Sequence, residues 1–302
     1  MRPVVLGTRG SSLAMCQAQI VQAMLEERYP GRPFTLQTIK ARADANPELP
    51  LVAMGGEGVF VKELEAALLA GRIDLAVHSL KDLPLATPPS LRIAAVLERD
   101  EPRDALVCRA ATPLERLPHG SRLGTSSLRR RSQLLRQRPD LHILEIRGNV
   151  DTRLRKLDEG QYDAIVVAAC GLIRLGLEQR ITEYLEIDQM VPEPGQGALA
   201  VETRSDDDAT CEMVRTFDDP QTRAGVEAER AFLRALGGGC RVPIAAYAAC
   251  EHGELVLQGT VVAADGSAQV RGMLRGPVTE PEGLGGRLAQ QLIDQGAHEL
   301  LV

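Results

Sequence analysis

Short apolar runs alternate with amphipathic stretches along most of the chain. Runs of four to eight apolar residues bounded by turn residues are typical of buried strands, whereas apolar residues spaced three and four apart are typical of helices. Up to residue 98 this pattern predicts strands and helices in the order 4–7, 12–28, 34–40, 60–69, 73–79 and 91–97. An alternation of strands with helices predicts an α/β fold.

The charged, proline-broken segment 98–104 predicts a crossing into a second domain. That domain repeats the alternation, with elements in the order 121–125, 126–138, 141–146, 149–160 and 163–170. A turn-rich segment at 191–197, followed by an apolar run, predicts a return crossing. We therefore predict a first domain at 1–98 and 198–216, a second at 99–197 and a small α+β third domain at 217–302.

Residues 41–58 show little apolar periodicity. They contain three glycines and two prolines, which favour turns, so we expect a long loop. Loops of this length in compact domains are commonly functional, and we predict a lid here.

Composition and charge narrow the function classes. No apolar run is long enough to cross a bilayer and the start of the chain lacks the apolar core of a signal peptide, so we expect a cytoplasmic protein. The formal net charge is −6, yet residues 121–156 carry ten Arg or Lys against three acids. A basic patch confined to one segment of an acidic protein favours small anions as ligands.

Two predicted helix starts in this basic segment carry arginines. Arg129 and Arg130 follow Ser127 in the first turn of one helix, whereas Arg147 and Arg153 flank the start of the next. Cations oppose the dipole at a helix N-terminus, so a bound carboxylate or phosphate would offset their charge. The planar guanidinium matches carboxylates in bidentate pairs. A solvated basic face is the alternative interpretation.

A second candidate site follows the apolar run at 73–77. His78, Lys81 and Asp82 occupy the strand-end loop, where α/β proteins place their sites. An acid and a base there predict proton transfer, and a solvated ion pair is the alternative.

The six cysteines are sparse and include no C-x-x-C pair, which favours reduced thiols, and no metal site is predicted. Cys240 differs from the others because three glycines, 237–239, precede it and Arg241 follows it. The glycines leave its sulfur accessible and the arginine favours the thiolate. An inert thiol after a helix cap is the alternative.

Together these motifs resemble the porphobilinogen deaminase family, also called hydroxymethylbilane synthases, of tetrapyrrole biosynthesis. The matching motifs cover almost the whole chain, and they include LGTRGSSLA, GVFVKELE, DLAVHSLKDLP, DEPRDALV, GTSSLRRRSQL, RGNVDTRL, YDAIVVAACGLIRLGL, VPEPGQGALAVE and ERAFLRALGGGCRVPIAAYA. So many linked motifs make an accidental similarity untenable.

The resemblance implies two binding-protein-like α/β lobes with a cleft between them and a small α+β C-terminal domain, in a monomer. It implies a transferase that joins four porphobilinogen units with loss of ammonia and releases hydroxymethylbilane by hydrolysis. It also implies a covalent dipyrromethane cofactor, joined by a thioether to Cys240. Neither nucleic acid nor a membrane is an expected partner.

The resemblance also assigns roles at matching positions. Asp82 matches the catalytic aspartate, which binds pyrrole N–H groups and stabilises a cationic azafulvene, and Lys81 matches a lysine of the same site. The residues implied to hold the cofactor are Cys240, Ser127, Arg129, Arg130, Lys81, Asp82 and Arg147. Those implied to bind substrate are Arg9, Ser11, Arg147, Arg153 and, more loosely, Arg174.

Three positions depart from the family's usual residues. Glu57 replaces a common lysine in the predicted lid, Gly238 replaces a frequent glutamate, and Ala245 replaces a frequent glycine. We expect these changes to affect the lid and carboxylate affinity and to leave activity in place.

Two other functions stay open on the residues alone. The arginines would also suit a non-catalytic, two-lobed binder of organic anions, although such a protein has no use for Cys240 on a glycine loop. A nucleic-acid binder working through residues 121–156 is the other alternative. The net charge and the lack of a nearby aromatic stacking platform argue against it.

Overall fold

The computed structural model describes residues 2–40, 61–238 and 242–301. The predicted lid with Glu57, and Cys240 with Arg241, lie outside the described residues. The chain divides into two compact units: unit 1 is Met1–Arg99 with Ala198–Pro220, and unit 2 is Asp100–Gly197 with Gln221–Val302. The three-domain division stays a prediction. In the ranges described, no helix combines the length and apolarity needed to cross a membrane.

The strands and helices follow one another along the whole described chain. The strands are β1 (Val4–Thr8), β2 (Phe34–Thr38), β3 (Leu75–Ser79), β4 (Leu91–Val96), β5 (Asp104–Cys108), β6 (Arg122–Gly124), β7 (His142–Leu144), β8 (Ala164–Ala168), β9 (Glu183–Leu185), β10 (Leu199–Arg204), β11 (Ile244–Glu251), β12 (Glu254–Val262) and β13 (Gln269–Pro277). The α-helices are α1 (Ser12–Arg28), α2 (Lys62–Leu69), α3 (Leu128–Gln137), α4 (Val150–Asp158), α5 (Ala169–Arg174), α6 (Asp208–Arg215), α7 (Pro220–Ala235) and α8 (Pro281–Asp294).

Unit 1 is built on a sheet with the strand order β2-β1-β3-β10-β4. β1 pairs in parallel with β2 and β3, and β10 lies antiparallel between β3 and β4. The predicted apolar runs supply the core, in which Leu6, Leu25 and Leu75 are fully buried. α1 begins at the predicted position, because the Ser11 hydroxyl accepts a hydrogen bond from the amide of Ala14 at 3.3 Å.

Unit 2 contains a sheet with the strand order β7-β6-β8-β5-β9 and a smaller sheet, β11-β12-β13. β5 and β8, whose apolar runs are buried, lie side by side in antiparallel register. α8 packs on the smaller sheet through Leu284, Leu288 and Leu292, which are fully buried. The sheet placement puts the start of β5 next to the end of β8, where the arginine-bearing helix α3 is anchored.

The predicted α/β class with a small α+β portion is confirmed by these sheets, and several element boundaries are corrected. The strand predicted at 163–170 ends at Ala168, after which α5 begins. The helix α6 and the strand β11 were not predicted. β11 is rich in alanine, which has low strand propensity, and its pairing with β12 over Ile244–Glu251 overrides that preference.

Candidate active site

A fully buried carboxylate, Asp104, lies at the first position of β5 in unit 2. It accepts hydrogen bonds from Arg129 Nη1 at 2.8 Å and from Arg130 Nε and Nη2 at 3.0 and 2.8 Å. Burial raises the pKa of Asp104, but the two guanidiniums outweigh burial and hold it well below its usual range. The arginines at the start of α3 therefore have a counterion inside the protein, which the sequence analysis did not supply.

The hydroxyls of the turn before α3 are engaged by the protein itself. Ser127 caps the helix, since its hydroxyl accepts from the amide of Arg130 at 3.4 Å. Ser126 Oγ donates to the carbonyl of Ile146 at 2.7 Å and accepts from its amide at 3.1 Å. The Ser126 hydroxyl is therefore already engaged in both directions by the backbone of Ile146.

Arg129 has hydrogen-bonding capacity left over. Its Nη1 also donates to the carbonyl of Val191 at 2.9 Å, and the residue is 4% exposed. Its Nε and Nη2 atoms are buried and have no hydrogen-bond partner among the described residues. Two unpaired donor nitrogens, Nε and Nη2, on one side of a buried guanidinium form a fork that a carboxylate fits.

A cluster of like charges adjoins this pair. Burial, together with the positive charges of Arg130 and Arg147, lowers the pKa of Arg153 to about 10. Arg153 lies in the first turn of α4, where its Nε donates to the carbonyl of Gly148 at 2.8 Å. Asn149 is the N-cap residue of α4, but its side chain makes no capping bond. The positive charges of Arg130, Arg147 and Arg153 repel one another, so a bound anion would stabilise them.

Arg174 ends α5, and its side chain is 5% exposed. Its Nε and Nη2 lie 2.8 and 2.7 Å from Asp100 Oδ2, and Nη2 also donates to the carbonyl of Gly197 at 2.7 Å. Arg174 therefore links Asp100, where unit 2 begins, to Gly197, where the first segment of unit 2 ends. Its substrate-binding role stays a prediction.

Unit 1 brings a separate set of predicted residues together. Lys81 and Asp82 lie in a single 3-10 turn, Leu80–Asp82, directly after β3, and both are half-buried. A cavity of about 60 Å³ has a mixed lining: its polar residues are Arg9, Ser11, Gln17, His78, Ser79 and Asp82, and its apolar ones are Leu13, Ala14, Val61, Leu64 and Val77. Gln17 Nε2 donates to Ser79 Oγ at 2.9 Å, which fixes one wall of that cavity. Arg9, Ser11 and Asp82 thus share one small cavity.

His78 lies in β3, whereas the sequence analysis placed it in the following loop. Its Nε2 is 3.1 Å from Oε2 of Glu202 on β10, and both side chains are buried. The sequence singled out His78 but carried no signal for its partner, because the two residues are 124 positions apart.

Comparison with known proteins decides the family. The family model described as "Porphobilinogen deaminase, dipyromethane cofactor binding domain" matches residues 4–212, and the model of the porphobilinogen deaminase C-terminal domain matches residues 224–294. The chain belongs to the porphobilinogen deaminase family. It is 51% identical over 298 residues to the porphobilinogen deaminase of Roseiflexus castenholzii, covering 99% of this chain and 98% of that one. It is 49% identical over 300 residues to that of Pelobacter propionicus, covering 99% and 96%.

Porphobilinogen deaminase is hydroxymethylbilane synthase, a transferase of tetrapyrrole biosynthesis that polymerises porphobilinogen and has a dipyrromethane cofactor. The predicted family, activity and cofactor are therefore confirmed. Among solved structures, a putative methionine-binding lipoprotein from Bacillus subtilis matches with a TM-score of 0.42 and 11% identity, covering 71% of this chain and 89% of that one.

The described residues of this chain fit the family's cofactor. Dipyrromethane is built from porphobilinogen units and carries acetate and propionate groups. The unpaired Nε and Nη2 of buried Arg129, and the mutually repelling Arg130, Arg147 and Arg153, are suited to carboxylates of that kind. Acids in the same positions would have argued against the cofactor.

The sequence analysis missed two residues that hold the arginines in place. Asp104 is one, and Gln196 is the other: its Nε2 donates to Asp104 Oδ1 at 2.9 Å and to the carbonyl of Pro102 at 2.7 Å. An acid that opens an apolar strand, as in RDALV, is the only sequence signal that pointed to Asp104. Gln196 lies in a glycine turn and gave no signal.

Proposed function

We propose that this deaminase assembles hydroxymethylbilane on a dipyrromethane joined to Cys240, using the predicted residues in the roles that the family implies. The observation that carries the proposal is Arg129, a buried guanidinium with two nitrogens, Nε and Nη2, that lack a partner among the described residues. A buried unpaired donor is unfavourable by about 1–3 kcal/mol, so the site is built for a ligand that accepts from it.

The site residues fall into two groups, one for the carboxylates of the cofactor and one for those of porphobilinogen. The cofactor supplies the nucleophilic pyrrole carbon to which porphobilinogen is added. The residues that the family implies for the cofactor's carboxylates are Ser127, Arg129, Arg130, Arg147 and Lys81. Porphobilinogen carboxylates would bind the other cationic or polar positions: Arg9, Ser11, Arg147, Arg153 and Arg174.

Asp82 has the electrostatic role. Positive charge develops on the pyrrole when the C–N bond of porphobilinogen breaks and ammonia leaves. A carboxylate fixed beside that charge lowers the barrier, in the way that donors lower it for a developing negative charge. Asp82 lines one cavity with Arg9 and Ser11, which are among the residues proposed to bind porphobilinogen.

The reaction stoichiometry tests the function. Purified protein supplied with porphobilinogen should consume four molecules and release four of ammonia for each hydroxymethylbilane set free. Porphobilinogen bound without any ammonia release would instead identify a non-catalytic binder.

Asp82→Asn tests the role of the carboxylate. It keeps the shape of the side chain and removes its charge, so turnover should fall on the order of 10²- to 10⁴-fold, with an unchanged circular dichroism spectrum. Asp82→Glu keeps the charge but shifts it by about one methylene, so it should retain more activity than Asp82→Asn. Near-parental turnover of folded Asp82→Asn would remove Asp82 from the mechanism.

We also infer that the protein is a cytoplasmic monomer that does not bind nucleic acid. Part of the basic segment is neutralised internally: Arg129 and Arg130 are buried on Asp104, and Arg138 pairs with Asp140 at 2.6 Å. A monomeric mass by light scattering, and no retention on an immobilised oligonucleotide at low salt, are the expected results. Tight, salt-steep oligonucleotide binding would contradict this inference.

A further inference from the structure

A buried histidine–glutamate pair borders the cavity that Asp82 lines, and the proposed function leaves this pair unused. The side chains of His78 and Glu202 are 3% and 1% exposed, with Nε2 and Oε2 3.1 Å apart. They extend from adjacent antiparallel strands, β3 and β10. An ionisable pair held out of water beside a partly polar cavity is a candidate functional group.

The pair belongs to a larger group of titratable side chains. Burial and the charge of Glu202 raise the pKa of Glu65 on α2, whereas the charges of His78 and Lys62 lower it. Asp82 and Arg9 face the same cavity as His78. The charged groups near the imidazole are therefore the Glu202 and Glu65 carboxyls, Lys62 close to Glu65, and Asp82 and Arg9 on the lining of the same cavity. The imidazole therefore lies near groups of both charges.

The cavity offers a path between Asp82 and His78. A water molecule occupies about 30 Å³ of liquid volume and needs two to four polar partners. The cavity measures about 60 Å³ and its lining includes the polar groups named above. It therefore has the room and the hydrogen-bonding partners for a water that links the two side chains.

Building on the proposed function, we propose that His78 receives the proton that each coupling releases at Asp82, and that Glu202 is its positioning residue. In each coupling a C–C bond forms between a ring carbon and the incoming methylene carbon. The C–N bond of the protonated aminomethyl group breaks with its electron pair on nitrogen and releases ammonia, and the ring carbon then loses its proton. That proton passes from the Asp82 carboxyl through water to Nδ1 of His78, while Glu202 accepts the Nε2–H. His78 then gives it to the departing ammonia, which leaves as ammonium.

Nitrogen NMR of the histidine rings tests this relay apart from activity. The chain has five histidines, and His78→Gln identifies the His78 resonances by their loss. In the cofactor-loaded protein at pH 7, Asp82→Asn should change the ¹⁵N shift of His78 Nδ1 and leave exposed His142 unchanged. Identical His78 shifts with and without the Asp82 charge would overturn the relay.

Kinetics of folded variants provide the second test. His78→Gln should lower kcat on the order of 10²-fold, because a proton acceptor is lost, and leave KM for porphobilinogen within about threefold. Glu202→Gln should lower kcat by about tenfold, since the imidazole survives without its acceptor, and it serves as the test if His78→Gln does not fold. His142→Gln is the matched control and should match the parent. An unchanged kcat in folded His78→Gln, or in Glu202→Gln, would overturn the proposal.

The proposed function and the proton relay can be disproved separately. If the parent protein neither carries the cofactor nor releases ammonia, the proposed function is wrong. If the parent does both and the His78 variants match it, only the proton relay is wrong.

Discussion

At the scale of single residues, the arginines at helix starts were predictable and their environment was not. Sequence placed Arg129 and Arg130 in the first turn of α3, and the structure confirms that placement. Their counterion, Asp104, comes from a strand 25 positions earlier. No local pattern links the two segments, because only the sheet order puts the start of β5 beside α3. For the same reason, no local sequence pattern indicates that Glu202 pairs with His78.

Removing the Asp104 charge should destabilise the protein strongly. Asp104→Asn leaves two buried guanidiniums without a charge partner, so we expect the free energy of unfolding to fall by about 3–5 kcal/mol. Asp188→Asn is the matched control: Asp188 pairs with Arg271 at 2.9 Å but its side chain is 86% exposed, and the loss should stay under about 1 kcal/mol. Urea unfolding of both variants measures the difference. Equal, small losses would show that Asp104 is not the anchor of the arginines.

Loss of the charge should affect the free energy of unfolding little at Arg153 and lower it at Arg130. The lowered pKa of Arg153 means that its charged form is disfavoured in the folded protein, so Arg153→Gln should change the free energy of unfolding by under about 1 kcal/mol. Its KM for porphobilinogen should rise, since a ligand carboxylate loses a partner. Arg130→Gln should lower stability, because Asp104 is left with one guanidinium. A large stability loss in Arg153→Gln with unchanged KM would make Arg153 structural.

At the scale of elements, apolar periodicity predicted most strands and helices of the described residues and missed those with weak patterns. The runs of β3, β8 and β10 are long, apolar and bounded by turns, so they were found. β11 was missed because Ile244–Glu251 is largely alanine, and it forms a strand only because β12 pairs with it along its whole length. Such tertiary pairing leaves no trace in local sequence.

Two adjacent glycines of α8 should respond oppositely to alanine. A Cβ at Gly285 would overlap the Ala228 carbonyl oxygen and lie 2.8 Å from Ala231 Cβ, so Gly285→Ala must separate α8 from α7. A Cβ at Gly286 meets nothing within 4 Å among the described residues, and Gly286→Ala should raise stability by up to about 1 kcal/mol through helix propensity. Thermal unfolding should therefore rank Gly286→Ala above the parent and Gly285→Ala below it. The reverse ranking would refute the close helix contact.

At the scale of the whole molecule, ion-paired carboxyls should make stability sensitive to acid. Hydrogen bonding to Arg138 lowers the pKa of Asp140 to about 2, and Asp104 and Asp163 are lowered as well. A carboxyl with a lowered pKa binds fewer protons when folded than when unfolded, so its contribution is present above about pH 4 and is lost as pH falls below that value. Urea unfolding should give a nearly constant free energy from pH 7 to pH 5 and a decline below about pH 4. Stability that rises on acidification would contradict the assignment.

The central claim is that this chain works through a dipyrromethane joined to Cys240, and an intact-mass measurement tests it most directly. The purified protein should exceed the mass of its 302 residues by one dipyrromethane. Cys240→Ala should lose both the excess and the turnover, whereas Cys250→Ala, at another thiol of the C-terminal region, should keep both. A parent protein without the excess, or an excess that persists in Cys240→Ala, would contradict the claim.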